Sequence, residues 1–174
     1  MSVDVATSLL DDVLRCYKPH CRYLRSMDFA VDGEVLRGVG EFGIAESCYI
    51  DDTGHLNSVE VNICYNQMLY AVIATAVHRG VGDVFGGWTM AEFRRRQLPD
   101  ILIARFSSSF PRPVNPRSFR GELTVDRIAQ RRLRPDAGPL VSLTTSFRFW
   151  DDVGGSSTGT AHVAIVDSEG GERG

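Results

Sequence analysis

Residues 55–79 read HLNSVEVNICYNQMLYAVIATAVHR, and this stretch decides the fold. At 3.6 residues per turn, Val59, Val61, Ile63, Cys64, Tyr65, Met68, Leu69, Ala71, Val72, Ile73, Ala74, Ala76 and Val77 cover nearly every side of a helix with apolar groups. Such a helix is buried all round, so the rest of the chain has to wrap it. Its start is marked by Asn57 with Glu60 three residues on, the spacing of a capping box. Gly80 and Gly82 end it. The expected central helix therefore runs over 55–79.

Working outward, the pattern changes from period 3.6 to period two. Tyr23–Val31 and Val35–Ile50 read as strands around a turn at Asp32-Gly33. After the helix, Ile101–Phe110, Phe119–Leu133, Leu140–Trp150 and Thr158–Val166 read as four more. Val141, Leu143, Thr145, Phe147 and Phe149 alternate cleanly, which puts one face on a core and the other toward water. Residues 4–16 form an amphipathic pattern ended by Pro19, giving an N-terminal helix within 1–20. Residues 83–100 hold a Gly-Gly pair and room for a short helix, and the Gly/Glu-rich tail, 168–174, should fray. Two strands, one buried helix and four strands describe an α+β chain with a curved antiparallel sheet wrapped around one long helix. This is the arrangement of the hot-dog fold, although other α+β folds can host the same order.

The chain has 174 residues, 43% hydrophobic and 24% charged, which suits a single domain, 1–174. No apolar run is long enough to span a bilayer. Four cysteines (Cys16, Cys21, Cys48, Cys64) form no CxxC pair and no metal spacing, so a reduced, cytoplasmic protein with no metal and no cofactor is expected. Residues 1–60 carry eleven acids against five bases, whereas 94–134 carry eleven arginines against three acids. That stretch suits phosphate or an acidic partner as well as it suits a solvated strand face. With a pI of about 5.8 and no basic-aromatic interleaving, nucleic acid is not an expected partner.

Polar residues crowd the entrance of the buried helix: Tyr49, His55, Asn57, Glu60, Asn62 and Asn66. A helix N-terminus presents free N–H groups and partial positive charge, a device that stabilises an oxyanion or enolate on a thioester. Each residue also has a structural role open to it. Asn57 caps, Glu60 closes the box, Asn62 and Asn66 share one face at i, i+4, where a polar pair costs free energy unless hydrogen-bonded, and His55 is a loop residue. The chain lacks a G-x-S-x-G elbow, a P-loop and a dinucleotide fingerprint.

From Tyr49-Ile50-Asp51-Asp52-Thr53-Gly54-His55-Leu56-Asn57-Ser58-Val59-Glu60 on to Cys64-Tyr65-Asn66-Gln67, the chain resembles the FcoT-like hot-dog family, first described as long-chain acyl-CoA thioesterases. Cys21-Arg22-Tyr23-Leu24, Gly87-Trp88, Ser107–Phe110 and Pro113-Val114-Asn115-Pro116 extend the resemblance over about residues 12–166; Leu56 stands where the family usually has Phe. Relatives in isonitrile lipopeptide and macrolactam β-amino acid pathways add glycine across the double bond of a (2E)-enoyl thioester on acyl carrier protein. The resemblance thus implies a 3-(carboxymethylamino)acyl thioester as product, glycine and a 4′-phosphopantetheine-linked or CoA-linked acyl group as substrates, and a homodimer or larger assembly. It carries over Tyr49, Asn57, Asn66 and, across a local gap, Tyr17 as site residues. In that frame His55 is the candidate base, Tyr49 and Asn57 hold the glycine carboxylate, and Asn66, Tyr17, Val59 and Glu60 line the substrate. A long-chain acyl thioesterase is the alternative activity, with water as nucleophile; a non-catalytic acyl-binding module is a third class.

Overall fold

A computed structural model describes residues 2–132 and 138–167. Its elements run β1 (Val3–Asp4), α1 (Thr7–Leu14), β2 (Leu24–Asp32), β3 (Val35–Phe42), α2 (Ser58–Arg79), α3 (Met90–Arg96), β4 (Ile101–Arg112), β5 (Phe119–Arg131), β6 (Leu140–Trp150) and β7 (Ser156–Ile165). The described strands form one antiparallel sheet in the order β1-β2-β3-β5-β6-β7-β4, curved about α2. The frayed tail expected at 168–174 lies outside the described residues.

The alternation seen in the sequence is the alternation in the sheet. Val141, Leu143, Thr145, Phe147 and Phe149 face inward on β6, while Ser142 and Arg148 are exposed. Tyr65, Phe106 and Phe147 interlock with ring centroids 5.1–5.2 Å apart, tying α2 to the sheet floor. Thr145 Oγ1 donates to Ala161 O (3.1 Å), so the Tyr65 hydroxyl donates to Thr145 (2.7 Å). Burial pushes that phenol up to about 12. Where β3 crosses α2 the approach is close: a Cβ on Gly38 would stand 2.7 Å from Val72 Cγ2. Gly80 closes α2 at φ +62°, and the N–H of Val81 returns to Ala76 O at 3.0 Å.

Three boundaries differ from the sequence reading by more than two residues, each for a local reason. The central helix begins at Ser58 and not at His55, because Asn57 is extended (φ −98°, ψ 171°) and caps it. β3 stops at Phe42 and not near Ile50, because the chain then leaves the sheet to bond elsewhere: Gly43 N–H to Tyr23 O (3.1 Å) and Ile44 N–H to Pro116 O (2.8 Å). The N-terminal helix shortens to Thr7–Leu14, since Val3–Asp4 pair with Asp28–Phe29 as an edge strand.

Candidate active site

Asn57 organises the start of α2. Its Oδ1 accepts the N–H groups of Val59 and Glu60, both at 3.1 Å, and its backbone carbonyl accepts from Val61 (2.9 Å). The expected capping box does not close. Glu60 accepts the Asn57 side-chain Nδ2 (2.8 Å) in place of the backbone N–H. A complete box sits instead at Thr89–Glu92, at the start of α3. Two consequences follow for chemistry. The Val59 and Glu60 amides are occupied by the cap, leaving the Ser58 N–H as the helix-start donor that the cap does not take. And Glu60, 2% exposed, keeps one carboxylate oxygen outside the capping interaction.

The other expected site residues fall in three places. Tyr49 (48% exposed) and His55 are exposed in the 43–57 segment, and Val59 (43% exposed) is exposed at the helix start. The turn below them is ordered by Asp52 Oδ1 accepting from Gly54 N–H and by Thr53 Oγ1 donating to His55 O, both 2.8 Å. Leu56, 1% exposed, plugs into the core between His55 and Asn57 and bonds Val114 O (2.9 Å), which fixes which way its neighbours lie. Asn66 Nδ2 donates to Asn62 Oδ1 (3.1 Å), so the two half-buried amides satisfy each other across a turn of α2. Tyr17 is half-buried against Tyr70 (centroids 6.5 Å); burial first, then Tyr70, Cys16 and Cys64, push its phenol far up. Cys64, fully buried, is raised by burial and by the charge of Glu60.

The segment bearing Tyr49 and His55 is held from outside by residues that sequence reading passed over. Arg117 donates to Ile44 O (3.1 Å), to Ala45 O and to Asp52. Asn115 Oδ1 accepts the Arg117 N–H (3.0 Å), and Asp151 accepts the N–H groups of Asn115 (2.7 Å), Val153 (3.0 Å) and Gly155 (2.8 Å). Those bonds, Asn115 first, hold the Asp151 carboxyl below its usual range. Nothing local in the sequence announces Arg117; the signal exists only once the two loops meet. Gln67 was legible, as a carboxamide in an otherwise apolar run, but only as part of a quoted motif.

The described arginines of 94–134 include both ion-paired residues and exposed strand residues. Arg94 pairs with Asp12 (2.7 Å), Arg96 with Asp167 (3.0 Å), Arg117 with Asp52 and Arg120 with Asp152. Arg105, Arg112, Arg127 and Arg131 are exposed along β4 and β5, and Arg134 lies outside the described residues. Among the described residues no group of three His, Cys, Asp or Glu is placed to hold a metal, and no helix is long and apolar enough to cross a membrane.

A hot-dog sheet around a buried helix whose start carries this polar cluster defines an acyl-thioester-handling class. Residues 12–165 match the FcoT-like thioesterase domain. The chain belongs to that family. It is 52% identical over 160 residues, 92% of this chain and 96% of the relative, to the (2E)-enoyl-[ACP] glycyltransferase of Streptomyces coeruleorubidus. It is 34% identical over 169 residues, 95% and 90% of the two chains, to the (2E)-enoyl-[ACP] glycyltransferase of Mycobacterium tuberculosis (strain ATCC 25618 / H37Rv). Among solved structures, the dehydratase domain of RzxB from Pseudomonas fluorescens superposes with a TM-score of 0.55 at 10% identity, over 95% of this chain and 50% of that one, a likeness of fold.

Proposed function

We propose that this chain adds glycine to C3 of a (2E)-enoyl thioester on acyl carrier protein, giving a 3-(carboxymethylamino)acyl thioester. The observation that carries the reading is 52% identity, across nearly the full length of both chains, to a (2E)-enoyl-[ACP] glycyltransferase. Two features are consistent with it: the start of α2 carries a buried carboxylate, Glu60, bonded to its cap Asn57, and the segment leading into the helix carries exposed Tyr49 and His55.

The step balances without a cofactor. His55 removes a proton from the glycine ammonium, and the neutral amine attacks C3, forming the C–N bond as the double-bond electrons move onto the thioester as an enolate. The Ser58 N–H and the positive end of α2 stabilise that enolate. The proton released from nitrogen returns to C2, so glycine and enoyl thioester sum to the adduct. Tyr49 is a neutral donor at the mouth; Asn57, its amide engaged in the cap and on Glu60, acts by fixing Glu60 and the helix start. Asn66, Tyr17 and Val59 line the way to the acyl chain. Carriage of the acyl group by 4′-phosphopantetheine or CoA, a cytoplasmic location, and a homodimer formed along the free edge of β4, where Leu102 and Phe110 are exposed, belong to the same proposal.

Incubation with an enoyl thioester, with and without glycine, tests the reading. The expected result is an N-alkylated adduct that needs glycine, with most of the rate lost in His55→Ala. Free thiol released without glycine would instead support hydrolysis, the activity for which the family is described. A turnover of neither kind leaves an acyl-binding module. A His55→Ala variant with the wild-type rate and pH profile would remove His55 from the chemistry.

A further inference from the structure

The sheet is electrically polarised across its width. β1, β2 and β3 carry Asp4, Asp28, Asp32 and Glu41, whereas β4, β6 and β7 carry no aspartate or glutamate. At the end of the sheet where β4 finishes, strand pairing sets Arg120, Trp150, Ser156 and Arg112 side by side in one row across β5, β6, β7 and β4. With neighbouring strands about 4.8 Å apart, that row is roughly 14 Å wide, room for one helix lying on it. Trp150 carries two guanidinium groups over its ring, Arg148 at 4.6 Å and Arg120 at 5.7 Å from the centroid.

The acids near this row are already engaged. Glu122 is shared by Arg37 and Arg148 (3.0 Å to the latter), Asp152 pairs with Arg120, and Asp151 accepts backbone N–H groups. Arg112 is exposed and has no ion pair among the described residues. Its Nη1 would stand 3.3 Å from a Cβ on Gly154, so the side chain lies along the β6–β7 turn and not along the free edge of β4. Val153, beside Gly154 in that turn, is 88% exposed. The row also adjoins the candidate site. Val114, two residues beyond Arg112, accepts the N–H of Leu56 at 2.9 Å, and Leu56 directly precedes the cap Asn57. An unpaired cation, two arginines on an indole and an apolar tip therefore stand within a few residues of the helix start. They match a partner that presents carboxylates and brings the thioester with it.

We propose that Arg112, Val153 and the Arg120–Trp150–Arg148 group form the docking face for the acyl carrier protein and receive an acidic helix of that protein. Arg112 and Arg148 meet its carboxylates, and Val153 meets an apolar side chain beside them. The prosthetic arm then passes the end of β4 to reach the start of α2. This face rests on the glycine-addition reading, in which the enoyl group arrives on a protein.

Arg112→Glu and Val153→Asp each put a negative charge on the face without touching the core. With a (2E)-enoyl acyl carrier protein as substrate, KM should rise about ten-fold or more in either variant while kcat holds. With the same enoyl chain on pantetheine, which has neither protein nor phosphate, KM should stay at the wild-type value, as should Tm. Enoyl-CoA separates phosphate from protein recognition: a loss on CoA equal to the loss on the carrier overturns the docking face and makes Arg112 a phosphate contact. An unchanged KM for the carrier substrate in both variants overturns it too, as does an equal rise on pantetheine, the mark of a structural role. Calorimetric titration with the holo carrier protein at low and high salt is independent of turnover. If wild type binds the carrier in a salt- and Arg112-dependent way but forms no adduct, the docking face stands and the addition reading falls. If wild type forms adduct while carrier affinity ignores both salt and Arg112→Glu, the addition reading stands and the docking face falls.

Discussion

The two halves of α2 are built on opposite rules. Residues 67–77 are buried without a break, and their polar side chains bond inward: Gln67 to the start of β2, Thr75 to Ala71 O at 2.7 Å. Residues 58–66 leave Ser58 and Val59 exposed, keep Asn62, Ile63 and Asn66 half-covered, and bury a carboxylate at Glu60. The second half is held by its own packing. The first is held by hydrogen bonds relayed from its neighbours, through Asn57, Val114, Arg117 and Asp151. A helix needing only stability would repeat the second pattern throughout, because buried polar groups destabilise unless partnered. On the reading proposed above, the first half is the part of the helix that serves the ligand.

The sharpest test of that contrast is one truncation in each half. Ile73→Ala leaves a cavity among fully buried groups and should cost about 2–5 kcal/mol. At roughly 2–4 °C per kcal/mol for a chain of this size, Tm should drop by about 4–20 °C. Val59→Ala, at a 43% exposed position, should stay within about 0.5 kcal/mol. Comparable losses in the two melts would erase the distinction.

Asn57→Ala comes next, and it is expected to split stability from activity. Loss of the cap costs about 1 kcal/mol. Glu60 then loses its donor and the helix start its geometry, so the glycine-addition rate should fall about a hundred-fold, the order expected for misplacing a reacting group. Asn57→Asp sharpens the point, since it restores a capping oxygen but sets a second carboxylate against Glu60. Its Tm should recover while its rate should not. A mutant that is fully active and merely less stable would make Asn57 a cap alone.

These tests also show what was legible in the chain and what was not. The buried helix could be read because its apolar residues recur with a period of their own, and β6 because its burial alternates. The polar helix start was visible as a cluster, with Asn57 readable as its cap. The partner of Glu60 was not, since choosing between the Asn57 backbone and side chain is a matter of ångströms. Nor was the end of β3, because Gly43 and Ile44 leave the sheet for bonds to residues far along the chain. Arg117 and Asp151 are ordinary surface letters until two loops meet.

Asp151 gives the smallest expected effect, and it tests whether the first half of α2 is held from outside. Its carboxylate accepts three backbone N–H groups and, through Asn115 and Arg117, steadies the segment that carries Tyr49 and His55. Because those bonds favour the charged form, its folded pKa lies below the unfolded value. The stability it contributes is therefore fully present above about pH 4, the unfolded carboxylate range, and is lost as pH falls through the lowered folded value. Asp151→Asn keeps the volume but turns one acceptor into a donor facing N–H groups. At neutral pH it should melt a few degrees (~3 °C) lower than wild type, a shift corresponding to about 1 kcal/mol. That gap should close as pH is lowered from about 5 toward 3, because the wild type loses there what the variant never had. Melting both proteins across that range reads the effect directly. A gap that stays constant with pH would show that Asp151 shapes its turn without contributing through its charge, and the relay to the helix start would then have to begin at Arg117.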